Sequence, residues 1–135
     1  MPGLLAGLMA LACARPVLAE PVPDIPEGHW TGRVECMRAV VICADLPVVV
    51  VIGPQAADHT YPATLTYVAG GTEYPGPALV FALNPDLHTL TAHYTDFADH
   101  QFWVLRLQDD AMSGLRMVNT RFMDRSIYLT RDKQP

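Results

Sequence analysis

The sequence predicts an all-β fold, a single small antiparallel up-and-down β-barrel of about eight strands. Two observations predict it. From residue 28 onward the chain reads as strands and turns, with period-two alternation over Trp30 to Met37, and no stretch carries a convincing helical period. Turn residues interrupt the strands at a spacing of roughly 12 residues, leaving loops too short for the crossover that parallel strands need. Closing the sheet on itself removes the strand edges that invite aggregation. A β-sandwich or a half-open sheet is the alternative, although the Cys…Trp…Cys order of immunoglobulin domains is absent.

The first predicted strand runs from Trp30 to Met37, with Trp30, Gly32, Val34 and Cys36 on one face and Thr31, Arg33 and Glu35 on the other. The second, Leu46 to Ile52, contains a β-branched run, Val48-Val49-Val50-Val51, that fits a strand covered on both faces or crossing the middle of the core. Tyr61 to Val68, Ala78 to Leu83 and Leu87 to Tyr94 follow. Phe102 to Leu107 sets Trp103, Leu105 and Leu107 opposite Phe102, Val104 and Arg106; Leu115 to Asn119 and Ile127 to Thr130 complete the set. Turns are expected at Gly53-Pro54, Gly70-Gly71, Gly76-Pro77, Asn84-Pro85-Asp86, Asp109-Asp110 and Ser113-Gly114.

Ahead of the domain, residues 1–19 read as a cleavable secretory signal. Leu4 to Ala14 is an apolar run of about 11 residues, short of the ~20 that span a bilayer. Pro16 then precedes Val17-Leu18-Ala19, which suits cleavage before Glu20. The n-region carries no Lys or Arg. Ala10-Leu11-Ala12-Cys13 resembles a lipobox, so a lipid on Cys13 is one alternative, and a buried helix over residues 1–19 is another. Residues 20–27, with Pro21, Pro23 and Pro26, read as an exposed, extended N-terminal arm, and residues 28–135 as the barrel. The expected location is periplasmic or secreted, with no transmembrane span.

Loss of the signal removes Cys13 and leaves Cys36 and Cys43, an even pair in an oxidising compartment. A disulfide between them would close a loop of roughly 8 residues and contribute about 2.5 kcal/mol. A redox pair would normally be spaced C-x-x-C, and a zinc site would need further ligands. Arg15 also departs, so the net charge moves from −5 to about −6. An acidic chain lacks the basic stripe that nucleic acid requires.

Gly28-His29-Trp30 resembles the Gly-x-Trp motif that opens the first strand of lipocalins and related calycin barrels. The resemblance implies a tryptophan plugging one end of the barrel, with an arginine from near the last strand stacked on its ring. Arg121, Arg125 and Arg131 are the candidates. The chain is shorter than a typical lipocalin and has no Thr-Asp-Tyr motif; Tyr94-Thr95-Asp96 only scrambles it. The chain also resembles the periplasmic inhibitors of secreted metalloproteases. These are small barrels with a Gly-x-Trp-like start, an early disulfide and an N-terminal arm that enters the protease cleft. Residues 20–27 would be that arm, although their proline-rich text departs from the family's usual one.

Chemistry-bearing patterns are few. His93, Asp96, Asp99 and His100 are weak candidates for a divalent metal, because a strand end running into a loop usually leaves such residues solvated. Ser113 and Ser126 sit in no nucleophile elbow, and no phosphate loop or dinucleotide fingerprint is present. Asp109 and Asp110 are adjacent, so on a strand they would point apart. No catalytic residue and no cofactor are expected. Trp30, Tyr67, Phe81, Tyr94 and Trp103 are expected inside the barrel, filling it or lining a ligand pocket. The expected function is non-catalytic binding of a small apolar ligand or an envelope component, with inhibition of a secreted protease through the arm as the alternative.

Overall fold

The alternating segments form nine β-strands and, among the described residues, no helix. The structure is a computed structural model and describes residues 25–37, 45–95, 100–119 and 122–133. The strands are β1 (Gly28–Cys36), β2 (Leu46–Ile52), β3 (Thr60–Ala69), β4 (Thr72–Pro75), β5 (Leu79–Asn84), β6 (Thr89–Thr95), β7 (His100–Gln108), β8 (Ala111–Val118) and β9 (Phe122–Arg131). Each pairs antiparallel with its neighbours in the order β2-β1-β9-β8-β7-β6-β5-β3-β4, and a β2–β3 pairing closes the ring. Eight strands therefore make a closed up-and-down barrel, and β4 is an extra strand. Among the described residues no helix is long and apolar enough to cross a membrane.

The barrel interior is apolar, and no buried polar or charged residue is found among the described residues. Trp30, Phe81, Leu90, Leu105 and Ile127 are completely inaccessible, and Trp103 is 1% exposed. Alternation places these side chains inward and their neighbours outward. On β7 the buried residues are Trp103, Leu105 and Leu107, as the sequence predicts. On β2 the valine run follows the same rule. Val48, Val50 and Ile52 are buried while Val49 and Val51 are half-buried on the outer wall, so the strand is not covered on both faces.

The extra strand β4 was not expected. Its four residues are all exposed and so carry no buried face to read. It leaves the Gly70-Gly71 turn, where both glycines have positive φ, and pairs with the second half of β3 (Thr66↔Pro75 to Ala69↔Thr72). β5 pairs with the first half of β3 (Thr60↔Ala82 to Ala63↔Leu79). The two short strands are halves of one return strand, broken at Gly76-Pro77, where the Gly76 N–H donates to the Leu65 carbonyl at 2.7 Å.

A second correction concerns Ser113-Gly114, which is not a turn. β7 and β8 are joined by Asp109-Asp110 alone (Gln108↔Ala111), with Asp109 at φ 53°, and β8 then runs through Ser113 and Gly114. Gly114 is a close-approach point: a Cβ there would lie 1.8 Å from the Val104 carbonyl oxygen. Gly32 of β1 is its counterpart, with a Cβ position 1.8 Å from the Tyr128 carbonyl oxygen. Glycine at such sites lets strands bend sharply enough to close a small barrel. β9 is also longer than predicted, because a register shift between Arg116 and Met117 breaks the alternation of the β8–β9 pair.

Candidate functional site

The end of the barrel that holds Trp30 is sealed. The Trp30 indole Nε1–H donates to the Pro26 carbonyl at 2.9 Å, and the Arg131 guanidinium lies over the ring, 4.3 Å from its centroid. The register Trp30↔Arg131 puts the two side by side on β1 and β9. Arg131 also donates from Nη1 to the Glu27 carbonyl, from Nη2 to the Ile25 carbonyl and from Nε to Asp110 Oδ1 at 3.0 Å. Gly28 has φ 143°, and a Cβ there would approach Arg131 Nη1 to 2.9 Å, so glycine also leaves room for the guanidinium.

Of the three candidate arginines, Arg131 is therefore the one stacked on Trp30. Arg121 lies outside the described residues, and Arg125 is placed opposite Cys36 at the other end, its Nη1 3.7 Å from the Cys36 sulfur. Where the arm meets the barrel, it is not free. Pro26 is buried and Ile25 to Glu27 form a strap across the barrel end, while residues 20–24 lie outside the described residues. Replacing Arg131 with Met is expected to lower stability by about 2 kcal/mol, since a stacked cation contributes ~0.5–2 kcal/mol and two carbonyls lose their donor. Asp110→Asn should cost no more than about 0.5 kcal/mol, because that carboxylate is exposed. Urea unfolding of the two variants checks the contrast.

The expected interior aromatics divide into two groups. Trp30, Phe81 and Trp103 fill the core, whereas Tyr67 and Tyr94 are half-buried and pack against its margin. Both tyrosines lie toward the end opposite Trp30, Tyr67 paired with Val48 and Tyr94 with Gln101. Gln101, not singled out by the sequence reading, has its Oε1 3.4 Å from the Trp103 indole nitrogen. The β5–β6 ladder has only three pairs, Ala82↔Thr91 to Asn84↔Thr89, although β5 begins at Leu79 and β6 continues to Thr95. Beyond that ladder Leu79, Phe81 and Ala92 are buried, and Tyr94 is half-buried on β6. A separate groove of about 450 Å³ lies on the outer wall, over Gly32, Met112 and Tyr128.

The histidine-rich segment is brought together in part. In the β6–β7 hairpin His93 faces Phe102 and Thr95 faces His100, so the two histidines are diagonal neighbours on the outer wall. His93 Nδ1 is 3.3 Å from His100 Nε2, and His100 Nδ1 is 2.8 Å from Thr95 Oγ1. Asp96 and Asp99 lie outside the described residues. No group of three or more His, Cys, Asp or Glu side chains with metal-binding geometry is found among the described residues. Cys43 is likewise outside them, so the expected Cys36–Cys43 bridge cannot be placed on the fold beyond Cys36 at the end of β1.

One perturbed carboxylate caps a loop. Asp58 is held below the usual carboxylate range, first by the Thr60 hydroxyl and then by the Thr60 backbone N–H, both donating to it ahead of β3. It is fully exposed.

No protein-family model matches the chain, and neither a curated protein nor a solved structure matches it.

Proposed function

We propose that this is an exported, lipocalin-like barrel that binds rather than catalyses, and that its target is a small apolar ligand or an apolar part of an envelope component. The observation that carries the reading is the asymmetry of the barrel. One end is sealed by Trp30, Arg131 and the strap, while toward the other Tyr67 and Tyr94 are only half-buried against the core. Amphipathic aromatic rings at a partly hydrated margin suit a ligand with an apolar body. The stacked Trp30–Arg131 pair after Gly28 supports the lipocalin-like assignment, which rests otherwise on sequence resemblance. Export by residues 1–19, with release after Ala19 or a lipid on Cys13, belongs to the same proposal. So does a Cys36–Cys43 disulfide: β1 and β2 are paired up to Val34↔Leu46, which would make the bridge a tie across their connecting loop.

The second reading, inhibition of a secreted protease by the arm, has one observation in its favour: Ile25 to Glu27 are fixed to the barrel end and would give an arm a rigid base.

The two readings separate by experiment. Binding of N-phenyl-1-naphthylamine, an apolar fluorescent probe, is measured on the mature chain, a Tyr67→Ser/Tyr94→Ser variant and a chain lacking residues 20–24. The expected result is binding by the mature chain, weakened about tenfold or more in the tyrosine variant and unchanged by the truncation. No probe binding, together with protease inhibition that disappears on truncation, would replace this reading with the second.

A further inference from the structure

The geometry points to a site for a divalent transition-metal ion of the zinc class, held by His93 and His100 on the outer wall of the β6–β7 hairpin. Two nitrogens bound to one tetrahedral ion at ~2.0–2.1 Å lie roughly 3.3–3.4 Å apart, the edge of that tetrahedron. His93 Nδ1 and His100 Nε2 stand 3.3 Å apart.

The surroundings offer His100 a partner on the ring nitrogen that the ion would not take. His100 Nδ1 lies 2.8 Å from Thr95 Oγ1; in the tautomer that carries its proton on Nδ1, the ring donates to that hydroxyl and keeps its Nε2 lone pair for an ion. A second-sphere partner of this kind is what usually orients a metal-bound imidazole. The backbone of His100 is fixed from both sides by Asn119, which accepts the His100 N–H on Oδ1 at 3.0 Å and donates its own N–H to the His100 carbonyl at 2.7 Å. The His93 ring packs against Phe102, with centroids 4.6 Å apart. Both donors are thus positioned by the hairpin before any ion arrives. His93 is exposed and His100 half-buried, so an ion reaches them from solvent. With two imidazoles from the described residues, water or an exogenous ligand fills the open positions. Imidazole donors favour Zn²⁺, Ni²⁺ and Cu²⁺ over Mg²⁺ and Ca²⁺, which prefer oxygen.

The test is calorimetric titration of the metal-free mature chain with ZnCl₂ at neutral pH, repeated with MgCl₂. His93→Ala, His100→Ala, Thr95→Val and His59→Ala variants are compared, each with its far-ultraviolet circular dichroism recorded to verify the fold. The expected result is one Zn²⁺ per chain and no Mg²⁺ binding. Each of His93→Ala and His100→Ala should weaken Zn²⁺ binding about 100-fold or more, and Thr95→Val about tenfold. His59→Ala, on the loop before β3, should leave it unchanged. No Zn²⁺ binding up to about 1 mM would show that the contact is an imidazole–imidazole hydrogen bond only. Binding that survives either histidine variant would overturn the shared site.

Discussion

Replacing Trp30 with alanine is expected to destabilise the barrel by about 3–5 kcal/mol, the range for removing a buried aromatic from a packed core. Three losses coincide at this side chain. Trp30 is completely buried, so its deletion leaves a cavity in a close-packed interior. The Pro26 carbonyl loses the indole N–H, and the Arg131 guanidinium loses the face on which it rests. For a domain of this size, the effect corresponds to a fall in Tm of roughly 10–20 °C. Trp30→Phe should cost less, about 1–2 kcal/mol, because a ring remains for Arg131 while the hydrogen bond is lost. Urea unfolding with tyrosine and Trp103 fluorescence as probes measures both. A cost below about 1 kcal/mol for the alanine variant would mean that Trp30 does not plug the barrel end.

The second large effect comes from adding a single carbon. Gly114→Ala is expected to cost about 3 kcal/mol or more, which is unusual for so small a change. The new Cβ would stand 1.8 Å from the Val104 carbonyl oxygen and 2.8 Å from the Leu105 Cα. Those are backbone atoms of the paired strand β7, so no side chain can swing aside. The strands must separate, and ladder hydrogen bonds on both sides of Gly114 lengthen with them. Gly32→Ala should behave alike, against Tyr128 and Leu129 of β9. Gly71→Ala is the control: its Cβ would meet nothing within 4 Å, and only its φ of +78° opposes the change, at ~1–2 kcal/mol. Equal unfolding midpoints for Gly114→Ala and Gly71→Ala would show that β7 and β8 can part without loss.

These glycines also mark where the sequence was hard to read. A glycine next to a serine means a turn when the chain must reverse, and a strand corner when another backbone must approach. Ser113-Gly114 is the second kind, and nothing local distinguishes the two. Some strands were legible: the inward set Trp103, Leu105 and Leu107 follows from alternation, and the bounds Leu46–Ile52 follow from a β-branched run, although that run concealed which face is buried. β4 was not, since it buries no face, and the start of β9 was hidden by the register shift near Met117. Candidate side chains were legible as types but not as partners. The arginine beside Trp30 is decided by β1–β9 register, and the nearness of His93 to His100 by β6–β7 register. Register is a long-range property that composition does not carry.

The closing pair β1–β9 has a consequence in time. Trp30 and Arg131 face each other although about a hundred positions separate them in the chain. Most other ladders join strands adjacent in sequence and can form as hairpins within microseconds. Joining the first strand to the last requires closing the longest loop in the domain, and such contacts slow folding toward the millisecond-to-second range. Until it happens, β1 and β9 are both open edges, and Gly32 sits on one of them. The interval before ring closure is therefore when newly made chains are most exposed to pairing with one another, and the Trp30–Arg131 stack is a lock that ends it.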